Sequence, residues 1–295
     1  MDSVHDEPLP DVSVVVPAHN AAATLPAQLA ALAGQDFTGR WELVVVENGS
    51  VDGTRAAIDA SCQCVPRLRC ITSTTQGASR ARNLGVRSAR APLVLLCDAD
   101  DVVAPGWVSA MAHALQDFDL VGGPLEFERL NALRLPRPDV TIGPELPVVF
   151  GYPYAVSANI GFHRALFDTL GGFDESIAVA EDVDFGWRAH LAGFSMGAAP
   201  AAVVHYRLRA TLGSFLRQQY RYAKGHAQVY AKHLRSGNLP KRSFRRQAKA
   251  SAGDALDLVR QVPRATDARS RWELMGRLAW IAGALSGTAR YGVYV

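Results

Sequence analysis

The chain of 295 residues has only four cysteines. It also has no apolar run near the roughly 18 to 20 residues that a membrane-spanning helix needs. Four thiols cannot staple a chain of this size. Three of them, Cys62, Cys64 and Cys70, sit close together without the second ligand cluster that completes a zinc site. Reduced, buried thiols are the expectation. The best apolar candidate, residues 278–285, is far too short to span, and Arg277 and Arg290 lie nearby. The first eleven residues are acidic and proline-bearing, unlike the basic start and apolar core of a secretory signal, so a cytoplasmic location is expected. Acid is missing locally as well: Phe185 to Gly253 contains no Asp or Glu while Arg and Lys recur, although the net charge is only +3. With 48% hydrophobic and 20% charged residues, the chain has ordinary globular balance, which excludes disordered and fibrous classes.

What is present begins with strand and helix in alternation. Residues 12–17 and 42–47 are valine-rich runs that fit buried strands, and between them Leu25, Leu29 and Leu32 fall at helix spacing with Pro26 in the tolerated first turn. The alternation continues with a helix opening at Thr54, a strand over 68–72, a helix over 80–90 and an apolar strand over 93–97. A mostly parallel sheet with helices on both faces follows, and ligands of such sheets bind outside the carboxyl ends of the strands. Three polar clusters fall there: residues 18–20, 47–50 and 98–101. Beyond residue 104 the spacing predicts a helix over 107–115, a strand over 120–127, a proline-rich loop over 135–147 and a helix over 181–191. An apolar stripe from Leu212 to Leu234 marks a long helix ended by Pro240, with two shorter helices after it, separated around Pro263.

Asp98 and Asp100 follow a strand two positions apart, which alternation sends to one side. Such hard oxygen donors suit Mg²⁺ or Mn²⁺ shared with substrate phosphates, yet a lone D-x-D is also ordinary turn and helix-cap chemistry. His205, after an apolar run, fits a metal ligand or a structural imidazole. Glu181, Asp182 and Asp184 open a helix, where carboxylates complement the dipole whatever else they do.

Taken in order, VSVVVPAHN at 12–20, GSVDG at 49–53, GASRARN at 77–83, the Asp98–Asp100 pair, Asn159, GGFDE at 171–175, EDVD at 181–184 and Val204-His205 resemble the motifs of family 2 glycosyltransferases of the GT-A fold. The resemblance covers roughly residues 11–225. It implies an α/β fold of the GT-A, Rossmann-like kind, a mostly parallel sheet flanked by helices, with a helical extension at the C-terminus. Residues 1–208 would form the nucleotide-sugar-binding and catalytic domain, and residues 209–295 a basic helical extension. The implied reaction is metal-dependent, inverting transfer of a sugar from a nucleotide-diphosphate sugar to a saccharide, lipid-linked or other hydroxyl acceptor. By the same resemblance, Glu47 and Asp52 would hold base and ribose; Pro17, Ala18, Asn20, Ser50 and Gly77 would line the donor pocket; and Arg82 with Asn83 would reach toward the donor and the acidic rim. Asp100 would ligate Mn²⁺ or Mg²⁺ directly, with Asp98 on ribose or metal-bound water and His205 completing the shell. Asp182 would be the general base, with Glu181 shaping the acceptor site, and Trp187 and Arg188 would brace their helix.

Gln218, Arg221 and Tyr222 resemble the Q-x-x-R-W motif of processive synthases with Tyr in place of Trp, so non-processive transfer is expected. Two other classes compete, a silent nucleotide-sugar-binding module and a nucleotidyltransferase. The intact acids speak against the first, and the absence of a glycine-rich phosphate loop after the first strand speaks against the second. The basic run, including Lys224, Lys232, Arg235, Lys241, Arg242, Arg245, Arg246 and Lys249, suggests docking on an anionic membrane surface, with Trp272, Leu274, Leu278, Ile281 and Leu285 entering the headgroup layer. No nucleic-acid partner is expected, because no recognisable binding motif accompanies the charge.

Overall fold

The computed structural model describes residues 8–61, 65, 67–132, 135–136, 145–239, 262 and 265–293. Cys62, Cys64, most of the proline-rich loop, Pro240, Pro263 and the basic cluster from Lys241 to Lys249 lie outside the described residues. The chain divides into two compact units: residues 1–126, 141–175 and 185–206 form the first, and residues 127–140, 176–184 and 207–295 the second.

The first unit is built on a seven-stranded sheet. Its parallel half contains β1 (Val12–Ala18), β2 (Trp41–Glu47), β3 (Leu68–Thr72) and β4 (Leu93–Cys97). Adding β6 (Leu120–Gly122), β10 (Asn159–His163) and β11 (Met196–Ala198) gives the order β11-β6-β10-β4-β1-β2-β3, in which only β10 runs antiparallel to its neighbours. Alternation along β1 sorts the core into two layers. Val12, Val14 and Val16 meet helix α1 (Leu25–Ala33) and α4 (Trp107–Ala114) through Leu25, Leu29, Trp107 and Met111. Val15 faces the other layer, with Ala81 and Val86 of α3 (Ala78–Ser88) and the rings of Phe162, Phe173 and Phe185. Gly85 lets α3 lie directly on the sheet, since a Cβ there would fall 2.3 Å from Val15 Cγ1. Helix α2 (Thr54–Ser61) and the short α5 (Arg164–Leu170) also belong to this unit.

The buried carboxylate Glu42 accepts from Ser13 Oγ at 2.8 Å, from the Arg90 backbone N–H at 2.7 Å, and from the Arg69 and Arg90 guanidinium groups at 3.0 Å each. Burial alone would push its carboxyl up; these donors outweigh it and hold the group below its ordinary value.

The strand expected over 120–127 is broken in two. After β6 the chain bends at Gly123-Pro124 and joins a separate three-stranded sheet as β7 (Leu125–Glu126), beside β12 (Val204–His205) and β5 (Val102–Val103). The fully buried Asn159 holds that bend: its amide donates to the carbonyls of Pro124 at 2.9 Å and Ala202 at 2.8 Å, while its oxygen accepts the Trp107 indole N–H at 2.8 Å. A hairpin of β8 (Val148–Val149) and β9 (Tyr152–Pro153) supplies Tyr152, which with Phe150 closes on the buried Trp187 of α6 (Glu181–Leu191). Arg188 donates to the Leu170 and Gly172 carbonyls at 2.8 and 2.7 Å, so this pair does brace its surroundings.

In the second unit, α7 (Leu212–Arg235) lies along α8 (Ala268–Tyr291). Helix α7 stops five residues before Pro240, because Gly237 takes a left-handed φ of 76° and the N–H groups of Gly237 and Asn238 return to the Leu234 and His233 carbonyls. Residues 268–291 form one helix of 24 residues instead of a short one, opened by an Asp267–Ser270 capping box. Along the seam Phe215 stacks on Trp272 at 6.1 Å, Tyr220 bonds Ser286 at 2.8 Å, and Arg235 reaches the Tyr291 carbonyl at 2.7 Å. No helix among the described residues is long and apolar enough to cross a membrane.

Candidate functional site

At the carboxyl ends of β1 and β2 two loops are stitched together. Asn48 N–H bonds the Ala18 carbonyl at 2.8 Å, Asn20 N–H bonds Ser50 Oγ at 3.0 Å, and Val51 N–H returns to Asn20 Oδ1 at 2.9 Å. Asn20 holds a left-handed φ of 49°, which asparagine tolerates better than most residues. Asp52 forms a turn leading into α2, taking the Thr54 N–H at 3.0 Å, and also accepts the Ala22 N–H at 3.2 Å. The Thr54 hydroxyl and these N–H groups hold its carboxyl below the ordinary value. Glu47, buried at the end of β2, accepts the Ser50 N–H at 2.6 Å. Burial would raise its pKa, but the donors from Ser50 and Gly49 and the Arg55 charge lower it overall. Beside it Asn48 Oδ1 is buried with no hydrogen-bond partner among the described residues. Pro17 and Ala18 close β1 beneath these loops, and Gly77, with φ of 148°, begins α3.

At the end of β4 the strand stops at Cys97, and residues 98–101 form a turn. That turn gathers Asp98, Asp100 and Asp101, with ligand oxygens within 4.8 Å of one another. Strand alternation would have sent Asp101 to the opposite face, so the turn is what brings the carboxylates together, and Asp101 was missed in the sequence for that reason. Arg82 of α3, expected to reach toward the donor and the acidic rim, is buried and donates to Asp98 Oδ1 at 2.9 Å. Its neighbour Asn83 does not reach the rim. Its amide donates to Phe173 O at 2.9 Å and Glu175 Oε1 at 3.0 Å, and its oxygen takes the Phe173 N–H at 2.8 Å, fixing the Gly172-Phe173 turn. Complete burial, reinforced by the charges of Asp98 and Asp101, pushes the Cys97 thiol well up.

His205 is not a member of the carboxylate group. It pairs across the small sheet with Val102, the residue after Asp101, and its Nδ1 contacts Glu126 Oε2 at 2.7 Å from the adjoining strand. Glu126 was not foreseen, because the sheet register that sets His205 against it depends on the bend at Gly123-Pro124. In the second unit Asp182 is half-buried and Glu181 buried at the start of α6; the Val183 N–H bonds Asp182 Oδ1 at 2.9 Å. Trp272, expected to enter a headgroup layer, is instead stacked on Phe215.

With this geometry in view, comparison with known proteins gives a consistent result. The profile for glycosyl transferase family 2 matches residues 13–169, and that for glycosyl transferase family group 2 matches residues 148–288. The chain is 27% identical over 228 residues to glycosyltransferase AglE of Haloferax volcanii, covering 75% of each protein. It is 28% identical over 247 residues to an N-acetylglucosaminyltransferase of Mesorhizobium japonicum, spanning 76% of this chain but only 57% of that protein. Among solved structures, mannosyltransferase PcManGT from Pyrobaculum calidifontis, in complex with GDP-Man and Mn²⁺, superposes with a TM-score of 0.69 at 20% identity, covering 95% of this chain and 88% of that one. S. aureus TarS 1–349 in complex with UDP-GlcNAc gives 0.57 at 19% identity, covering 96% and 93%. The chain belongs to glycosyltransferase family 2 and has the GT-A fold.

Proposed function

We propose that the protein is an active, non-processive, inverting enzyme that moves a sugar from a nucleotide-diphosphate sugar to an acceptor hydroxyl. The observation that carries this reading is the turn of three carboxylates with Arg82 reaching into it. Three hard oxygen donors fit Mn²⁺ or Mg²⁺, and PcManGT was solved with GDP-Man and Mn²⁺. Asp100 and Asp98 would hold the cation, with His205 beside them and Glu126 fixing the imidazole plane, as carboxylates do for metal-binding histidines. When bound, the cation supplies positive charge against the diphosphate leaving group. Arg82 keeps Asp98 oriented, Glu47, Asp52 and Ser50 set the loop that receives base and ribose, and the Asn48 oxygen offers an acceptor to a base N–H. Gly77, Pro17, Ala18 and Asn20 shape that pocket.

In the transfer, the acceptor oxygen attacks the anomeric carbon, its proton passes to Asp182, and the bond to the diphosphate breaks. Residues 1–208 would carry this chemistry, with the helical remainder as an extension. The acceptor is a saccharide, a lipid-linked sugar or another hydroxyl. The test is hydrolysis-corrected transfer with UDP-, GDP- and dTDP-sugars after EDTA and re-addition of Mn²⁺ or Mg²⁺. Loss of transfer in EDTA and in Asp100→Ala supports the reading. A fall of about 10² to 10⁴ in kcat for Asp182→Asn with donor affinity kept also supports it. Full transfer in EDTA overturns the metal role, and wild-type turnover of Asp182→Asn moves the base elsewhere.

For the partner surface we propose an anionic membrane. From Arg207 onward 18 Lys and Arg stand against four Asp and Glu, whereas the preceding residues carry 13 against 24. On α8, Met275, Leu278 and Leu285 are exposed large apolar residues one to two turns apart. A basic, apolar surface of this kind fits reversible adsorption to an anionic leaflet, at about 1 kcal/mol per surface cation. Co-sedimentation with phosphatidylglycerol vesicles, but not neutral ones, at low salt is the expected result; equal, negligible binding to both overturns it.

A further inference from the structure

Residues 176–184, which carry Glu181 and Asp182, are held by α7 at three levels. Gln228 Nε2 donates to the Ser176 carbonyl at 3.0 Å. One turn before it, Gly225 lies so close that a Cβ would fall 2.6 Å from the Val179 carbonyl oxygen. At the third level Asp184, with no exposed surface, receives Lys232 Nζ at 2.7 Å and His233 Nε2 at 3.0 Å on the same oxygen. His233 is buried too, and its Nδ1 faces the Asn238 amide at 3.3 Å. An N–H donor at Nδ1 assigns the ring proton to Nε2, where it points at the carboxylate. Asn238 arrives there because of the turn at Gly237 that ends α7.

Between these anchors Ala180 holds φ of 68°, immediately before Glu181. A residue with a Cβ occupies that left-handed region only where its surroundings over-determine it, and such backbone gathers at functional positions. Released from Asp184, the first turn of α6 is free to relax toward ordinary backbone and carry Asp182 with it. A base must meet its proton within hydrogen-bond reach, and a displacement near 1 Å costs about 10² in rate.

We infer that Asp184, Lys232 and His233, backed by Asn238, form a clamp that holds the strained Ala180 turn and thereby aims Asp182 at the acceptor hydroxyl. Asp184 and Lys232 are positioning residues: they act through Asp182. The inference rests on the assignment of Asp182 as base, and the experiment keeps the two apart.

The experiment measures kcat, donor KM and the unfolding midpoint of the full chain for Asp184→Asn, Lys232→Met, Lys232→Arg and Ala180→Gly, with Asp182→Asn as reference. The clamp requires Asp184→Asn and Lys232→Met to lose about 10- to 100-fold in kcat with donor KM within twofold. Lys232→Arg, which keeps the charge, recovers most of that loss. Ala180→Gly removes the strain that the clamp must hold, so on its own it keeps kcat and the unfolding midpoint, and combined with Lys232→Met it restores most of the lost kcat, a rescue that a purely structural ion pair does not produce. If Asp184→Asn fails to fold, the half-exposed Lys232 carries the test. An inactive Asp182→Asn beside a folded, fully active Lys232→Met, or a Lys232→Met loss that Ala180→Gly leaves unrescued, overturns the clamp alone. Wild-type turnover of Asp182→Asn overturns the base assignment and the clamp with it.

Discussion

Gln28 donates its side-chain amide to the Asp98 carbonyl at 3.0 Å and accepts the Val103 N–H at 2.9 Å. One fully buried glutamine on α1 thus spans both ends of the turn that gathers the three carboxylates. Gln28→Met keeps the volume and strands two buried backbone groups, each costing about 1–3 kcal/mol. Urea unfolding should show that loss, and calorimetric titration should show weaker Mn²⁺ binding than in the wild type. An unchanged Mn²⁺ isotherm in a destabilised but folded variant would separate the strap from the turn it holds.

Arg82 is a cation set among carboxylates, so its removal acts in opposite senses on two ligands. In Arg82→Met the turn keeps its negative charges without the compensating guanidinium, and bare Mn²⁺ should bind as tightly as before or more tightly. A nucleoside diphosphate, which brings negative charge of its own, should bind about tenfold more weakly, one unit of charge-assisted hydrogen bonding. Parallel titrations with Mn²⁺ alone and with Mn²⁺ plus UDP or GDP check the divergence.

His226 of α7 has its ring edge-on to Trp280 at 5.3 Å, and burial lowers its pKa to about 4. The folded state therefore keeps the ring neutral where the unfolded chain, near 6.5, already binds a proton. Stability from this group is complete above pH 6.5 and falls as the pH drops toward 4. His226→Leu should flatten the unfolding midpoint of the helical unit across that window, measured by circular dichroism at stepped pH. Glu42 acts lower on the scale. Its depressed carboxyl stabilises the sheet unit above the unfolded value near 4.5, and that contribution disappears as the pH falls through the folded value.

The seam between α7 and α8 allows a paired test of packing and surface. A Cβ at Gly283 would fall 2.2 Å from the Tyr220 carbonyl oxygen, so Gly283→Ala should force the helices apart and destabilise by about 1–3 kcal/mol. Leu285 is 64% exposed, and Leu285→Ser should leave the unfolding midpoint nearly unchanged while weakening sedimentation with anionic vesicles. Thermal melts and vesicle pelleting on the two variants give opposite rankings if the surface is used as proposed.

The parallel half of the sheet was legible because each of its strands is a short apolar run closed by polar residues, and those polar ends mark the rim directly. Asp98 and Asp100 were legible for the same reason, whereas Arg82, inside α3, was legible only through the resemblance of residues 77–83 to the family motif. Asp101 and Asn83 were misjudged because a turn and a distant backbone segment, not local spacing, decide where their side chains go. Gln28 looks like a flaw in the apolar stripe of Leu25, Leu29 and Leu32 until its partners about 70 residues away are known. The length of α8 was hidden by Gly276, Gly283 and Gly287, which read as weak helix formers yet are the positions where α7 comes closest. The end of α7 is written in Ser236-Gly237-Asn238, the signature of a left-handed helix stop, which acts before Pro240 is reached.

Asp98, Asp100 and Asp101 lie within four consecutive residues, so a cation held by these carboxylates alone, without His205, closes almost no chain. A clasp drawn from distant segments restrains the unfolded ensemble by the loop it shuts; this turn shuts only a minimal one. The same short acidic stretch also retains some attraction for the ion when unfolded, which subtracts from any gain on folding. Mn²⁺ alone should therefore shift the melting curve less than its affinity implies, and the larger shift should appear only when a nucleotide ties the cation to the loops beyond β1 and β2. Screening metals by melting temperature without nucleotide would undervalue the site.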